Sequence, residues 1–243
     1  MFTLFKKEVN SFLNSLIGYI VLLVFLLITG LFLWVFPMEF NIPDYGYANI
    51  NGLFIIAPWV FLFLIPAITM RSFADERKSG TIELLYTKPL TDYQILGAKF
   101  LSGFTLVLIA LIPTLIYYIS VYQLGLPSGN IDSGAVWGSY IGLLFLGGAF
   151  VSIGVFASSL SDSQIVSFIL AVFMCGIMYL GFEFIYTLSL FGPVDLTVRS
   201  LGIQAHYDSI SRGVVDTRDV IYFLSVIALF LMLTKLVMER RKW

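Results

Sequence analysis

The chain has 243 residues, of which 59% are hydrophobic and only 12% are charged, with a formal net charge of -1. Soluble globular domains carry about 25% charged residues, so this composition excludes a soluble domain and indicates a polytopic membrane protein. Nucleic-acid binding is not supported by the net charge or by any long Lys/Arg block. The single cysteine, Cys175, lies in an apolar run and provides no disulfide framework.

The first fifteen residues predict a helix that lies in the membrane surface. Apolar residues recur at helical spacing with polar residues opposite them. The apolar set is Phe5, Val9, Phe12, Leu13 and Leu16, and the polar set is Lys6, Lys7, Asn10 and Asn14. A disordered basic start is the alternative, but it gives no reason to place large apolar residues on one face.

Six apolar segments have the length of about 20 residues that a helix needs to cross the hydrocarbon core. They are predicted at about residues 16–36, 53–70, 100–122, 136–160, 165–184 and 220–238, within one transmembrane domain of residues 1–243. The polar cluster at 158–164 separates the fourth span from the fifth. The first span is too long for a signal peptide, so we expect it to be retained.

The positions of lysine and arginine predict the orientation. With both termini inside, three of the fourteen cations lie outside: Arg199, Arg212 and Arg218. The other eleven are cytosolic: Lys6, Lys7, Arg71, Arg77, Lys78, Lys88, Lys99, Lys235, Arg240, Arg241 and Lys242. This bias follows the positive-inside rule and agrees with an even number of spans.

The longest charged stretch, residues 71–99, follows the second span directly. Its pattern predicts a charged membrane-exit turn at 71–78 and a short helix at about 80–87 that ends before Pro89. The capping-box pattern Thr91-x-x-Gln94 then starts the next helix.

A helix as short as that at 80–87 is marginal in water and needs to be held by something else. We expect Leu84, Leu85 and Tyr86 to offer an apolar face to a partner. The alternative is a cytosolic loop that packs only on its own protein.

Two features of the spans and one histidine outside them permit a functional or a structural interpretation. Gly138-x-x-x-Gly142 and the later Gly148 predict close packing of the fourth helix. Glu183 is a candidate intramembrane polar site, because an acid at the bilayer centre costs about 2.5–3.5 kcal/mol. It lies near the outer end of its span, however, where water or a headgroup relieves that cost. The lone His206 has no His or Cys close in sequence and does not indicate a metal site.

The outer segment at 186–219 is long for a loop but too apolar for a free linker. Ile203, Tyr207 and Ile210 fall on one helical face, and Gly192-Pro193 divides the segment, so we expect short helices at the outer interface. Asp216 then predicts the N-cap of the last span.

The charged segment resembles the cytosolic signature of type-2 ABC transporter permeases. The matching residues are Phe73, Glu76, Gly80, Thr81, Glu83, Leu84, Leu85, Pro89, Leu90 and Lys99. The resemblance implies a coupling helix that sits in a groove of an ABC ATPase subunit. Its implied ATPase-coupling residues are Glu76, Gly80, Thr81, Glu83, Leu84, Leu85, Tyr86 and Pro89. ATP and Mg²⁺ would then bind to the partner, with no cofactor, metal or catalytic residue on this chain.

The sequence contains no G-x-x-x-x-G-K-[ST] motif, whose glycine-rich loop binds the phosphates of ATP. We therefore expect ATP to bind to another subunit. The expected fold is an all-α polytopic membrane protein. It has six transmembrane helices, an N-terminal interfacial helix, a cytosolic coupling helix between spans 2 and 3, and short outer helices between spans 5 and 6.

A closer resemblance is to the GldF family, the permeases of the gliding-motility ABC transporters of Bacteroidetes. It rests on GLFLWVF at 30–36, APWVFLFLIPAITMRSFADERKSGT at 57–81, GLPSGNID at 125–132 and SRGVVDTRDVIYFLS at 211–225. It implies a bacterial cytoplasmic membrane, a GldA-like ATPase, and a GldG-like companion subunit or a second copy of the chain. No substrate is implied.

Two other functions stay open from the sequence. The chain could be an ion- or proton-coupled carrier or channel that works without ATP, although such carriers place several polar groups at mid-membrane. It could also be a membrane anchor that transmits the work of an ATPase without transporting anything.

Overall fold

The computed structural model describes residues 1–87, 89–189 and 192–239, without the side chains of Tyr45, Leu84, Tyr86 and Pro193. The cations predicted at Lys88, Arg240, Arg241 and Lys242 lie outside the described residues. The regular structure in the described ranges is helical throughout. Six helical stretches are long and apolar enough to cross a membrane: Leu16–Trp34, Asn51–Lys78, Asp92–Leu124, Ser133–Leu160, Gln164–Thr187 and Thr217–Glu239. The prediction of an all-α polytopic membrane protein is confirmed.

Fourteen α-helices are described along these ranges. They are α1 (Phe2–Leu13), α2 (Leu16–Trp34), α3 (Ile42–Tyr45), α4 (Asn51–Thr69), α5 (Arg71–Lys78), α6 (Ile82–Tyr86), α7 (Asp92–Leu111), α8 (Leu115–Leu124), α9 (Ser133–Leu160), α10 (Gln164–Gly176), α11 (Phe182–Thr187), α12 (Asp195–Arg199), α13 (Ile203–Ile210) and α14 (Thr217–Glu239). A 3₁₀ turn at Ile112–Thr114 joins α7 to α8, because Pro113 has no N–H to continue the α-helical ladder. A π-helical turn at Ile177–Gly181 joins α10 to α11.

Helices α9 and α4 form the centre of the bundle. The most apolar stretches of α9 and α4 are 78% and 67% buried, against 22–33% in the other four spans. Small residues let α9 accept close neighbours: a Cβ at Gly142 would lie 2.8 Å from Ile210 Cγ2, and one at Gly148 would lie 3.1 Å from Ile227 Cδ1. The remaining spans pack around this pair with one face turned outward.

The two ends of the bundle differ in what they carry. The terminal face holds α1, α5, α6 and the start of α7, and Lys235 near the end of α14 donates to the Tyr93 hydroxyl there at 3.0 Å. The opposite face holds α3, α12 and α13.

Several predicted helix boundaries are confirmed. Thr91 and Gln94 form a reciprocal capping box at the start of α7. Helix α9 ends at Leu160 and α10 begins at Gln164, so the polar cluster does separate two spans. Helix α14 begins directly after Asp216, whose carboxylate accepts from the Arg218 N–H at 3.0 Å.

Two expectations about the terminal face are wrong. Residues 71–78 form helix α5, separated from α4 by Met70 alone, instead of a turn. Ser158 of α9 explains this, because its hydroxyl accepts from the Phe73 N–H at 2.9 Å and donates to the Met70 carbonyl at 3.0 Å. Leu16 does not join the apolar face of α1: it begins α2 and is 76% exposed, since Ser15 caps that new helix.

The outer segment forms the short helices α12 and α13, as predicted, with Ile203, Tyr207 and Ile210 buried on one face.

Tyr207 also replaces a hydrogen bond that is missing within α4. Its hydroxyl donates to the Phe54 carbonyl at 2.6 Å. That carbonyl lies four residues before Pro58, which has no N–H to give it.

Candidate functional site

The turn between α5 and α6 is closed by side chains and by one glycine. The Ser79 hydroxyl donates to the Asp75 carbonyl at 2.7 Å and ends α5. Gly80 follows with a φ of +69°, a left-handed conformation that other residues adopt only at a cost. Thr81 lies 2.8 Å from Ser79, hydroxyl to hydroxyl, and precedes α6. The chain therefore makes a turn at 79–81 directly before the predicted coupling helix.

Helix α6 packs on its own protein through one face and exposes another. Ile82 and Leu85, three residues apart, are only 9% and 8% exposed. Glu83 and Pro89 are exposed. The expectation that Leu85 faces a partner is therefore wrong, because it anchors the helix inward. The side chains of Leu84 and Tyr86 lie outside the described residues.

Beneath this segment lies a group of four charges, the ion cluster, formed by Lys7, Glu8, Glu76 and Lys99. Lys99 Nζ lies 2.8 Å from Glu76 Oε2 and 3.3 Å from Glu8 Oε1. Lys7 Nζ lies 3.0 Å from Glu76 Oε1. Glu76 is thus held between two lysines that come from α1 and α7, and the cluster joins these helices to α5.

Lys99 is the most buried member of the ion cluster. Its side chain is wholly buried, it donates to the Ser72 carbonyl, and its ammonium lies 4.8 Å from the centre of the Phe73 ring. The two carboxylates of the cluster neutralise its two ammonium groups. A charge that is withdrawn from water needs such an opposite charge beside it. Removing Lys99 would leave two carboxylates, Glu8 and Glu76, against the single ammonium of Lys7.

The electrostatic environment of Lys7 reflects the same arrangement. Partial burial acts to lower the pKa of its ammonium, but the carboxylates of Glu8 and Glu76 together raise the pKa above its ordinary value of 10.5. Lys7 is 60% exposed, so water screens its pairs and they contribute less than those of Lys99.

Two further polar contacts tie α5 to the connection between α9 and α10. The Gln164 amide donates to the Asp75 carboxylate. Arg77 Nη1 lies 3.7 Å from Asp162 Oδ1, and the arginine side chain is only 3% exposed. The Phe73 N–H of α5 also donates to the Ser158 hydroxyl of α9. Polar contacts therefore attach α5 to α1, α7, α9 and α10.

The other predicted site residues lie far from this cluster. Glu183 is at the opposite face, where its carboxylate accepts from Arg199 Nε at 2.9 Å. Gly138 packs against the backbone of Gly213, where a Cβ would lie 2.8 Å from the carbonyl carbon. Of the residues expected to couple to an ATPase, the structure brings Gly80, Thr81 and Glu83 together on the surface and turns Glu76 inward.

Sequence reasoning did not identify the roles of Lys7, Glu8 and Lys99 in the ion cluster. One signal was available for Lys99, which stands alone among apolar and small residues in the first turns of a span. A lysine in that position needs a buried anionic partner.

Within the described residues, no group of three or more His, Cys, Asp or Glu side chains is placed to hold a metal ion.

Comparison with curated proteins returns no match. A comparison with family models matches residues 2–243, nearly the whole chain, to the family described as ABC-2 family transporter protein. Together with the six spanning helices, this match shows that the chain belongs to the ABC-2 transporter family.

Proposed function

We propose that this ABC transporter membrane subunit receives the force of ATP hydrolysis from a separate ATPase at α5 and α6. It converts that force into transport or conformational work in its spans. The observation that carries the proposal is the ion cluster, which joins α5, the helix before α6, to α1 and α7 through contacts of 2.8–3.3 Å.

The distribution of described cations supports a cytosolic terminal face. Its cations are Lys6, Lys7, Arg71, Arg77, Lys78, Lys99 and Lys235. The opposite face carries Arg199, Arg212 and Arg218. By the positive-inside rule, both termini and α6 then face the cytosol of a bacterial cell, where an ATPase operates.

The exposed side of α6 supplies the contact chemistry. Glu83 is exposed, while Ile82 and Leu85 hold the helix from beneath. A short helix anchored in this way keeps its shape under an applied force. Gly80 and Pro89 bound it, so the docking element is compact and its position is set by α5.

Transmission runs through the contacts of α5. Helix α4 leads into α5 with one intervening residue, so a displacement of α6 reaches the second span directly. Lys99 carries it to α7 and Glu8 carries it to α1. Closure of two ATPase subunits then tilts the second and third spans together, and a dimer interface opens alternately.

At a finer level, we propose the permease of a gliding-motility transporter of the GldF kind. Its partners are a GldA-like ATPase, which binds ATP and Mg²⁺, and a GldG-like companion subunit or a second copy. The sequence resemblance supports this assignment. Glu183 has a structural role in this proposal, because its carboxylate pairs with Arg199. An ATP-independent carrier would instead use that carboxylate to relay ions or protons.

The test is co-purification of the chain with its ATPase subunit, followed by measurement of ATP hydrolysis. Glu83→Arg reverses the charge on α6, and Glu39→Arg makes the same change at an exposed position of the opposite face. We expect Glu83→Arg to lower bound ATPase or stimulated turnover by about tenfold, a change of about 1.4 kcal/mol. Glu39→Arg should behave as wild type.

Thermal unfolding of each chain alone separates a docking defect from misfolding. Glu83→Arg should unfold at the wild-type temperature, since an exposed substitution changes stability by less than about 0.5 kcal/mol. Normal ATPase recruitment and turnover by a folded Glu83→Arg variant would remove the central support of the proposal.

A further inference from the structure

The opposite face contains a second polar contact that the proposed function does not use, centred on His206 of α13. Its Nδ1 lies 2.7 Å from Asp219 Oδ1 in the first turn of α14. Its Nε2 lies 2.9 Å from the carbonyl oxygen of Ser200 at the end of α12. The imidazole stacks on the Tyr222 ring, with 3.9 Å between centroids and an interplanar angle of 18°.

The number of protons needed follows from the partners. A carbonyl oxygen only accepts, so Nε2 must carry a hydrogen and donate it to Ser200. The contact between Nδ1 and Asp219 needs a second proton, because a bare ring nitrogen and a carboxylate oxygen are both acceptors. Without that proton, two acceptors face each other at 2.7 Å and repel.

The second proton belongs on the histidine, since the surroundings of Asp219 favour its carboxylate form. Asp219 lies in the first turn of α14, where the positive end of the helix dipole stabilises an anion. It is only 6% exposed, and its Oδ2 is buried without a hydrogen-bond partner. Loss of the histidine charge would leave this carboxylate buried and unpaired.

We propose that His206, Asp219 and Ser200 form a proton-dependent clasp, closed when His206 is an imidazolium, that fastens α12 and α13 to the last spanning helix. Tyr222 belongs to the clasp as well, because its hydroxyl donates to the Leu201 carbonyl at 2.6 Å. Protons from the outer side would then set how firmly the outer segment holds α14.

In the described part of the chain, the charged side chain in direct contact with His206 is that of Asp219. From α14 the titratable groups are Asp219 and Tyr222. Helices α9 and α4 meet the segment through uncharged groups, among them Ser139, Gly142 and the Phe54 carbonyl. The other charges of the segment, of α11 and of the first turn of α14 are Glu183, Asp195, Arg199, Asp208, Arg212, Asp216 and Arg218, and Glu183 pairs with Arg199.

The rest of the outer segment is held by bonds without a group that titrates near neutral pH. Tyr207 donates to the Phe54 carbonyl at 2.6 Å, and Ser139 donates to the Ser211 carbonyl at 2.8 Å. Loss of the His206 proton would therefore loosen α12 and the start of α14, while α13 stays on α4 and α9. Histidine ordinarily changes charge between about pH 5 and pH 8, a range that the outside of a cell reaches.

His206 is the one histidine of the chain, so labelling with ¹⁵N-histidine gives one pair of ring signals. We expect both nitrogens to carry protons at low pH, with loss of the Nδ1 proton as pH rises. In Asp219→Asn the Nδ1 proton should be lost at a lower pH than in wild type, because the carboxylate that accepts it is gone. Asp216→Asn, three residues earlier and exposed, should keep the wild-type midpoint.

Hydrogen exchange tests the mechanical consequence in the unaltered full-length chain. After correction for intrinsic rates, the amides of α12 and of the first turns of α14 should exchange about tenfold faster above the His206 midpoint than below it. His206→Gln should exchange rapidly at both pH values. A midpoint shared by wild type and Asp219→Asn, or exchange in the wild type that does not change across the midpoint, would overturn the clasp.

Discussion

Lys99 of α7 and Glu76 of α5 form a 2.8 Å ion pair in which the lysine side chain is wholly buried. Lys99→Met should therefore lower the free energy of unfolding by about 3–5 kcal/mol, since it leaves Glu76 and Glu8 with the largely exposed Lys7 as their one cation in the cluster. Thermal or denaturant unfolding in detergent measures the loss. Lys78→Met, at an exposed position of α5, is the matched control and should stay within about 0.5 kcal/mol of wild type.

Removing both partners should recover part of that loss. The double variant Lys99→Met, Glu76→Gln also removes the Glu76 carboxylate, so that the one remaining acid of the cluster, Glu8, is matched by Lys7 at 3.5 Å. We expect it to unfold at a higher temperature than Lys99→Met alone. If the two variants are equally stable, the ion pair does not contribute the coupling described here.

Close packing of α9 on the opposite face gives a second prediction. A Cβ at Gly138 would lie 2.8 Å from the Gly213 carbonyl carbon, which is backbone and cannot rotate away. Gly138→Ala should cost about 1–3 kcal/mol of unfolding free energy, the usual range for overpacking. Gly134→Ala on the same helix is the control, because its Cβ would make an ordinary 3.4 Å contact. Equal stability of the two variants would contradict this packing.

The bond between Tyr207 and the Phe54 carbonyl predicts a coupled pair of substitutions. Tyr207→Phe should cost about 1–3 kcal/mol, because it leaves a buried carbonyl without a donor. Pro58→Ala restores an N–H four residues after Phe54, so the same change should cost less in that background. A double-mutant cycle by denaturant unfolding measures the difference, and an unchanged cost would refute the proposed repair.

Local patterns made most helices predictable from the sequence. The Thr91 and Gln94 capping box acts within one turn, and the break between α9 and α10 follows from a run of polar residues. The segment at 71–78 was predicted as a turn because most of its residues are charged or polar, although one face of the helix that it forms is buried. The backbone N–H groups of Phe73 and Ala74 donate to the Ser158 hydroxyl, a contact across more than eighty residues of chain.

The candidate site was predictable in its position but not in its internal contacts. The motif located α5 and α6, yet the pairing of Glu76 with Lys99 depends on how α1, α5 and α7 rotate against one another. That rotation is set by packing of distant residues. Helix α6 has five residues, too few for periodicity to show that Leu85 lies inward with Ile82.

Asp208 at the opposite face predicts a pH dependence of stability. Burial first, and then repulsion from Glu183, raise the pKa of its carboxyl above the ordinary 3.8. The folded chain therefore keeps this proton to higher pH than the unfolded chain does, so stability falls as pH rises through the folded-state pKa. Asp208→Asn should be more stable than wild type near about pH 7, by less than about 1 kcal/mol, with the gain shrinking toward about pH 4.

Asp216→Asn provides a comparison of opposite sign. The backbone N–H of Arg218 lowers the pKa of the Asp216 carboxyl, so its contribution is present at neutral pH and lost as pH falls through the folded-state value. Thermal unfolding of both variants across the acid range would show curves that diverge from wild type in opposite directions. Parallel curves would contradict the assigned environments.

Photo-crosslinking of the intact complex tests most directly whether α6 is the ATPase contact. Glu83→p-benzoylphenylalanine places a reactive group on the exposed side of α6, and Glu39→p-benzoylphenylalanine places one at the opposite face. Irradiation should give a covalent adduct with the ATPase subunit from position 83 and none from position 39. An intact complex that gives an adduct from position 39, or none from position 83, would contradict coupling through α6.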